Sequence, residues 1–302
     1  MQTQQTFIES IRHQLTHGGM TIKLIFINVV VFLGLRILDV FSQLLGWGEG
    51  QFTYGIASHV VILYTDVSEF ITHPWGLFTY MFTHFGAWHL IWNMVMLYFA
   101  GRLFEQLFNA SRLLYTYILG GILGGILEIV AHLIFPSMQM TSATIVGASG
   151  SIMAIFIAIA FYRPNLKINL FGILPVRLII LAGIFLLSDI FNLSSSDGTA
   201  HFAHLGGAIF GIWSIQNPHS STNVLNVVQY FIQSLFKKKQ KPRFKVKKGG
   251  KTTRSKSDAD YNLEKKKKQE VIDKILDKIS KSGYESLSKK EKDILFNQSK
   301  NG

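Results

Sequence analysis

The chain has 302 residues, 48% of them hydrophobic, with 30 Lys and Arg against 18 Asp and Glu, and no cysteine. That excludes disulfides, thiolate catalysis and Cys-based metal sites. Charge is segregated: residues 237–302 hold 22 of the basic and 9 of the acidic residues, so a nearly neutral apolar body carries a basic tail.

The first 20 residues are polar, and no small-residue cleavage site follows the first apolar run. That run is therefore expected to stay as a membrane span rather than be removed as a signal peptide. A hydrocarbon core of about 30 Å needs about 20 apolar residues per helix. Six runs are candidates, over 22–44, 86–107, 113–135, 148–162, 168–191 and 202–217. The fourth and sixth are short, leaving room for water above them, which only an enclosing protein tolerates at membrane depth. The expected fold is an all-α polytopic membrane protein of six transmembrane helices with a small cytoplasmic helical tail.

Orientation follows from the basic residues. No Lys or Arg lies between Arg36 and Arg102, between Arg112 and Arg163, or between Arg177 and Lys237. These gaps cover the connections after spans one, three and five, which are then outside, with both termini inside. Arg36 and Asp39 belong near the outer end of span one. The outer segment 46–85 holds Trp47, Phe52, Tyr54, Tyr64, Phe70, Trp75, Phe78, Tyr80 and Phe82. It is too interrupted by polar residues to span and is expected to lie in the outer interface.

Polar residues converge in depth. At about 1.5 Å per residue, Ser149 lies roughly 21 Å above Arg163, His204 roughly 18–21 Å above the Gln216-Asn217-Pro218 stop, and His89 roughly 20 Å above Arg102. Asn93 is one turn deeper on the face of His89. Gly207 and Gly211 form a Gly-x-x-x-Gly face, and Gly150 with Ala154 a matching small face, so spans four and six can pack closely. That packing would set Ser149 beside His204. A serine hydroxyl needs a base to become a nucleophile, and histidine is the usual one. Backbone N–H groups at the helix N-terminus, with the Asn93 amide and the His89 imidazole, are suitable oxyanion donors.

Taken together, His89-x-x-x-Asn93, Gly147-Ala148-Ser149-Gly150 and Ala203-His204-x-x-Gly207-x-x-x-Gly211 resemble the motifs of the rhomboid intramembrane serine proteases, over about residues 20–218. The resemblance implies a Ser149/His204 dyad without a required acidic third member, oxyanion support from His89 and Asn93, and substrates that are other membrane proteins cut near the outer end of a transmembrane helix. It also matches His84 to a structural family histidine and Glu105 to a family glutamate. Two positions depart from the family: Gly76 stands where arginine often follows the loop tryptophan, and Met153 replaces an aromatic that packs on the catalytic histidine. The runner-up is a non-proteolytic rhomboid-like protein that binds and routes transmembrane helices.

Other polar residues leave alternatives open. His201, one turn before His204, lines the site entrance or serves structure. Glu128 and His132 are expected to pair within span three. Asp189 or Asp197 could orient His204, with nothing in the sequence choosing between them. No metal site is expected, since His-Glu-x-x-His and a carboxylate ligand set are lacking, and no cofactor is implied.

The expected domains are an N-terminal cytoplasmic segment 1–21, the membrane domain 22–218, a basic linker 219–268 and a C-terminal helical hairpin 269–302. The linker's charge suits anionic lipid; it lacks the interleaved aromatics of a nucleic-acid binder. Ser288 with Glu291 makes a capping box and Gly283 a helix stop. The hairpin's apolar stripes are small, so it is expected to dock on an unknown protein or on itself. The compartment suggested by a polytopic body with an inside basic tail is a bacterial inner membrane.

Overall fold

The computed structural model describes residues 18–48, 57–139, 144–170, 173–195, 197–236 and 258–299, with Thr16, Gly50, Phe52 and Gly55 besides. Tyr54, the basic run 237–257 and most of the N-terminal segment lie outside the described residues. The chain separates into a unit ending at Lys238 and a second running from Lys239 to Gly302.

The first unit is built on seven helices: α1 (Met20–Leu44), α2 (Ala87–Leu107), α3 (Ala110–Ile134), α4 (Ser149–Tyr162), α5 (Leu178–Phe191), α6 (His201–Ser214) and α7 (Val224–Phe236). Among the described residues, α1 and α3 are long and apolar enough to cross a membrane by themselves. Helix α2 carries His89, Asn93, Arg102 and Glu105, and α4, α5 and α6 have 14 residues each, about 21 Å of helix. Large apolar side chains nevertheless face outward: Trp88 is 83% exposed, Trp92 69% and Phe99 67%. So broad an apolar exterior is what a lipid-facing surface looks like.

The core forms where α4 is enclosed. Every residue from Gly150 to Ala160 except Met153 is buried, so α4 is apolar on all sides. Helices α3 and α6 pack on it through small residues. A Cβ on Gly207 would stand 2.0 Å from the Gly150 carbonyl oxygen, and one on Gly211 2.4 Å from that of Ala154. This is the expected contact of two small faces. A second one was not anticipated: α3 brings Gly120 against Ala154, and Gly124 against the Ala203 carbonyl on α6.

Polar ties sit at helix ends. Glu105 on α2 accepts from the Met20 N–H at 2.6 Å and the Thr21 hydroxyl at 2.7 Å, an acid at the positive end of α1. Arg112, at the start of α3, donates to the Ser214 and Pro218 carbonyls and to the Asn223 and Asn226 side chains. One guanidinium thereby joins the starts of α3 and α7 to the end of α6. Near the end of α1, Arg36 donates to the Phe85 carbonyl, which gives that charge a partner.

Three expectations are corrected. The fold is mostly helical, as expected, but not helical throughout: Leu63–Tyr64 pairs with Thr144–Ile145, and Lys167–Leu170 with Leu174–Arg177, both antiparallel. The second pairing displaces the start of the fifth helix from 168 to Leu178, because Pro175 has no N–H for a helix interior and holds the residue before it extended. The segment expected as a linker contains α7, where Asn226 and the preceding Asn223 accept from Arg112; its apolar stripe comes before the lysines that mark the linker in the sequence.

Between α1 and α2 the described residues from Ala57 onward fold on themselves. Helical turns over Ser58–Val61, Val67–Thr72 and Gly76–Thr79 follow one another, and Asp66 caps the second through the Ser68 and Glu69 N–H groups. At position 76 glycine is required by space, since a Cβ would stand 2.3 Å from the Ile62 carbonyl oxygen. Trp75 donates to the His59 carbonyl at 2.9 Å.

In the second unit, α8 (Asp258–Ser282) and α9 (Lys289–Ser299) form the hairpin, which begins earlier than 269. Gly283 ends α8 at φ +74°, a left-handed conformation that suits glycine. The capping box is present: Glu291 accepts from the Ser288 N–H at 2.7 Å, and Ser288 Oγ from the Glu291 N–H at 3.4 Å. The Ser288 N–H and the Ser288 hydroxyl, which donates to Glu291 Oε2 at 2.8 Å, together with Lys278 pull the Glu291 carboxyl down to about 2.

Candidate active site

Ser149 is the first residue of α4, so its side chain stands at the positive, N–H-rich end of that helix. The approach to it is built by pairing. Ile145 pairs with Leu63, and the Gly147 N–H donates to the Tyr80 carbonyl at 2.9 Å. Gly147 then turns the chain at φ +126°, a conformation only glycine adopts freely. Its missing side chain also makes room for His89, whose ring atoms would lie 2.8 Å from a Cβ there.

His89 is exposed at the start of α2 and packs edge-on against buried His84, ring centres 4.9 Å apart. Burial, then the neighbouring His89, holds His84 down to about 3. His84 is therefore neutral, and its Nε2 faces the Ala148 N–H at 3.5 Å. Asn93 is buried, and its amide donates to the His89 carbonyl one turn back. One of its two N–H groups is thus committed to its own helix.

His204 lies in the first turn of α6, partly buried. A Cβ on Gly150 would stand 3.0 Å from the Ala203 carbonyl oxygen; the residues next to Ser149 and next to His204 are in contact. Among the described residues no hydrogen bond joins Ser149 to His204, a common state of catalytic pairs without substrate. Met153 packs at the margin of the core one turn beyond Ser149.

Of the two carboxylates the sequence leaves open for His204, the structure selects Asp189, shared by His204 and His201. Both donate from Nδ1 to one oxygen of Asp189 on α5, at 2.8 and 2.7 Å. His201 also meets Ser195 Oγ and Asp197 through Nε2. Asp189, His201 and His204 thus place three donor atoms within 4.8 Å of one another. The sequence reading set a metal aside for want of a carboxylate; Asp189 is that carboxylate, and here it is engaged by two imidazoles. Fifteen residues separate Asp189 from His204, a distance at which no periodicity argument links them.

Glu128 also has a role that its spacing hid. It lies 3.6 Å from His132, as expected, but its Oε2 accepts the Ala203 N–H at 2.9 Å. It therefore caps α6 from α3, immediately before His204. Glu128→Leu should lower the thermal midpoint of the purified protein by the loss of a cap, about 1–2 kcal/mol, whereas Glu128→Gln, which keeps an acceptor, should lose less. Equal midpoints for the two variants would argue against the capping role.

A helical membrane protein with a serine and a histidine at the heads of two glycine-packed helices is the class that fold and site define. The Rhomboid domain family matches residues 72–216, so this part of the chain is a rhomboid domain. The family of unknown function DUF6576 matches residues 256–301, the region of the hairpin. Among curated relatives, "RHOMBOID-like protein 12, mitochondrial" of Arabidopsis thaliana is 31% identical over 144 residues, 44% of this chain and 43% of the relative. "Presenilin-associated rhomboid-like protein A, mitochondrial" of Danio rerio is 29% identical over 150 residues, 46% and 36% respectively. The chain thus covers less than half the length of either relative. Both are mitochondrial by name, which overturns the expected bacterial inner membrane.

Proposed function

We propose that the membrane domain is a serine endopeptidase that cuts transmembrane segments of other membrane proteins. Ser149 attacks the scissile carbonyl carbon and His204 takes its proton. His89, one Asn93 N–H and the Ser149 N–H hold the oxyanion. One observation carries the reading: the backbone contact of Gly150 with Ala203, which brings the neighbours of nucleophile and base together at one helix crossing. In this reading α1 to α6 cross the membrane six times, both termini on the positively charged side. The site lies toward the opposite face, where the segment 46–85 shields the entry of water. The names of the relatives favour a mitochondrial membrane. In this reading the basic run serves anionic lipid, and the hairpin serves a protein partner or a second copy.

The alternative, a rhomboid-like protein that binds and routes helices without cutting them, has the open Ser149–His204 pair in its favour. A fluorophosphonate probe separates the two without a known substrate. In lipid nanodiscs, labelling of the parent and none of Ser149→Ala is the expected result. Equal labelling of both would place the reactive group elsewhere, and no labelling of either would favour helix binding.

A further inference from the structure

Asp189 sits where a helix does least to welcome it. It lies in the last turn of α5, the negative end of the dipole, where an acid is disfavoured. It is also 6% exposed, and a buried carboxylate is costly unless it is hydrogen-bonded. The compensation comes from the next helix: His201 and His204, both in the first turn of α6, donate to its Oδ1. Local rules broken in this way mark functional positions in many proteins.

Asp197 is the competing carboxylate and differs on each count. Its side chain is 47% exposed. The one imidazole it meets is that of His201, at 3.3 Å. His204 has its Nδ1 on Asp189, so the proton held there leaves Nε2 as the nitrogen free to accept from a serine.

We propose that Asp189 is a positioning residue of the Ser149/His204 pair, a buried carboxylate that fixes the tautomer and ring orientation of His204. The proposal rests on the protease reading. As Ser149 Oγ bonds to the carbonyl carbon, its proton passes to His204 Nε2, and the imidazolium so formed faces the Asp189 carboxylate through Nδ1–H. The proton then goes from Nε2 to the leaving amine nitrogen as the C–N bond breaks, leaving an acyl-serine. Water, giving its proton to Nε2, repeats the sequence and releases the acid. Asp189 stays ionised throughout. His201 binds the same oxygen and so holds the carboxylate still. A divalent ion taken up by the three donors would occupy Nδ1 and leave the proton on Nε2, which could then not accept from the serine.

The test measures fluorophosphonate labelling of the full chain in nanodiscs, resolved into the maximal rate and the half-saturating probe concentration, with thermal midpoints for each variant. Asp189→Asn should lower the maximal rate by about 10²–10⁴-fold, with half-saturation and midpoint close to the parent. Asp197→Asn should stay within about threefold of the parent, as expected for an exposed carboxylate. A maximal rate for Asp189→Asn within about threefold of the parent overturns the proposal. So does a fall matched by Asp197→Asn, and so does a fall that comes only with a collapsed midpoint, which would make Asp189 a tie between α5 and α6. If the parent labels no faster than Ser149→Ala, the protease reading itself fails, a result distinct from all of these.

Discussion

His204→Ala should slow fluorophosphonate labelling of Ser149 by about 10³–10⁴-fold, the scale seen when a general base is removed from a serine site. Without the imidazole, none of the other histidines near the site among the described residues is placed to receive the Ser149 proton. His201, one turn earlier, is occupied at Nδ1 by Asp189 and at Nε2 by Asp197 and Ser195. His89 packs edge-on against His84 and covers Gly147. Probe binding should be nearly unchanged, because the side chain removed is half of a reacting pair rather than a wall of the site. Labelling of His204→Ala at the parental rate would mean that another base serves Ser149, and the assignment of α6 as the catalytic helix would fall.

Gly207→Val tests the helix crossing that makes the pair possible. The added Cβ would meet the Gly150 carbonyl oxygen at 2.0 Å, closer than any real contact, and the obstacle is backbone on a fully enclosed helix. Either α4 or α6 must move. Overpacking of this kind costs about 1–3 kcal/mol and sometimes more; here both partners are helix backbone, so the upper end is expected. A displacement of about 1 Å at a catalytic pair costs about 10²-fold in rate, so labelling should fall at least that far, with a lower thermal midpoint. Gly34→Ala and Gly183→Ala are the matched controls, since a Cβ at either position meets nothing within 4 Å. Parental labelling by Gly207→Val would show that Ser149 does not depend on this crossing.

The two variants probe information of different origin. The residues at the site were legible in the chain because each sits beside a local signal. Ser149 follows a glycine turn at the head of an apolar run, and His204 heads a run carrying Gly207 and Gly211. Helix rise set them at one depth, and small residues on both runs named the contact. The structure has that contact through Gly150, Ala154, Gly207 and Gly211. The capping box of Ser288 and Glu291 was readable for the same reason: its two residues are three apart and act on each other.

What the sequence could not decide depends on partners far apart in the chain. Asp189 was one of two acids near the end of an apolar run, and spacing ranks them equally. Only the packing of α5 against α6 puts one against His204 and leaves the other half-exposed beside His201. Glu128 seemed matched to His132 by helical spacing, whereas the fold adds a bond to a backbone N–H of α6, 75 residues on. Gly76 read as a departure from a family pattern until the Ile62 backbone was found against it. The strand pair that shortens α5 was masked by an apolar composition equally suited to helix, although Pro175 carried the contrary signal. By itself, then, the chain determined which residues head which helices, because periodicity and capping act over a few positions. The tertiary structure decided which carboxylate meets which imidazole, because a hydrogen bond of about 2.8 Å depends on how two helices are rotated and joined, and no local pattern encodes that.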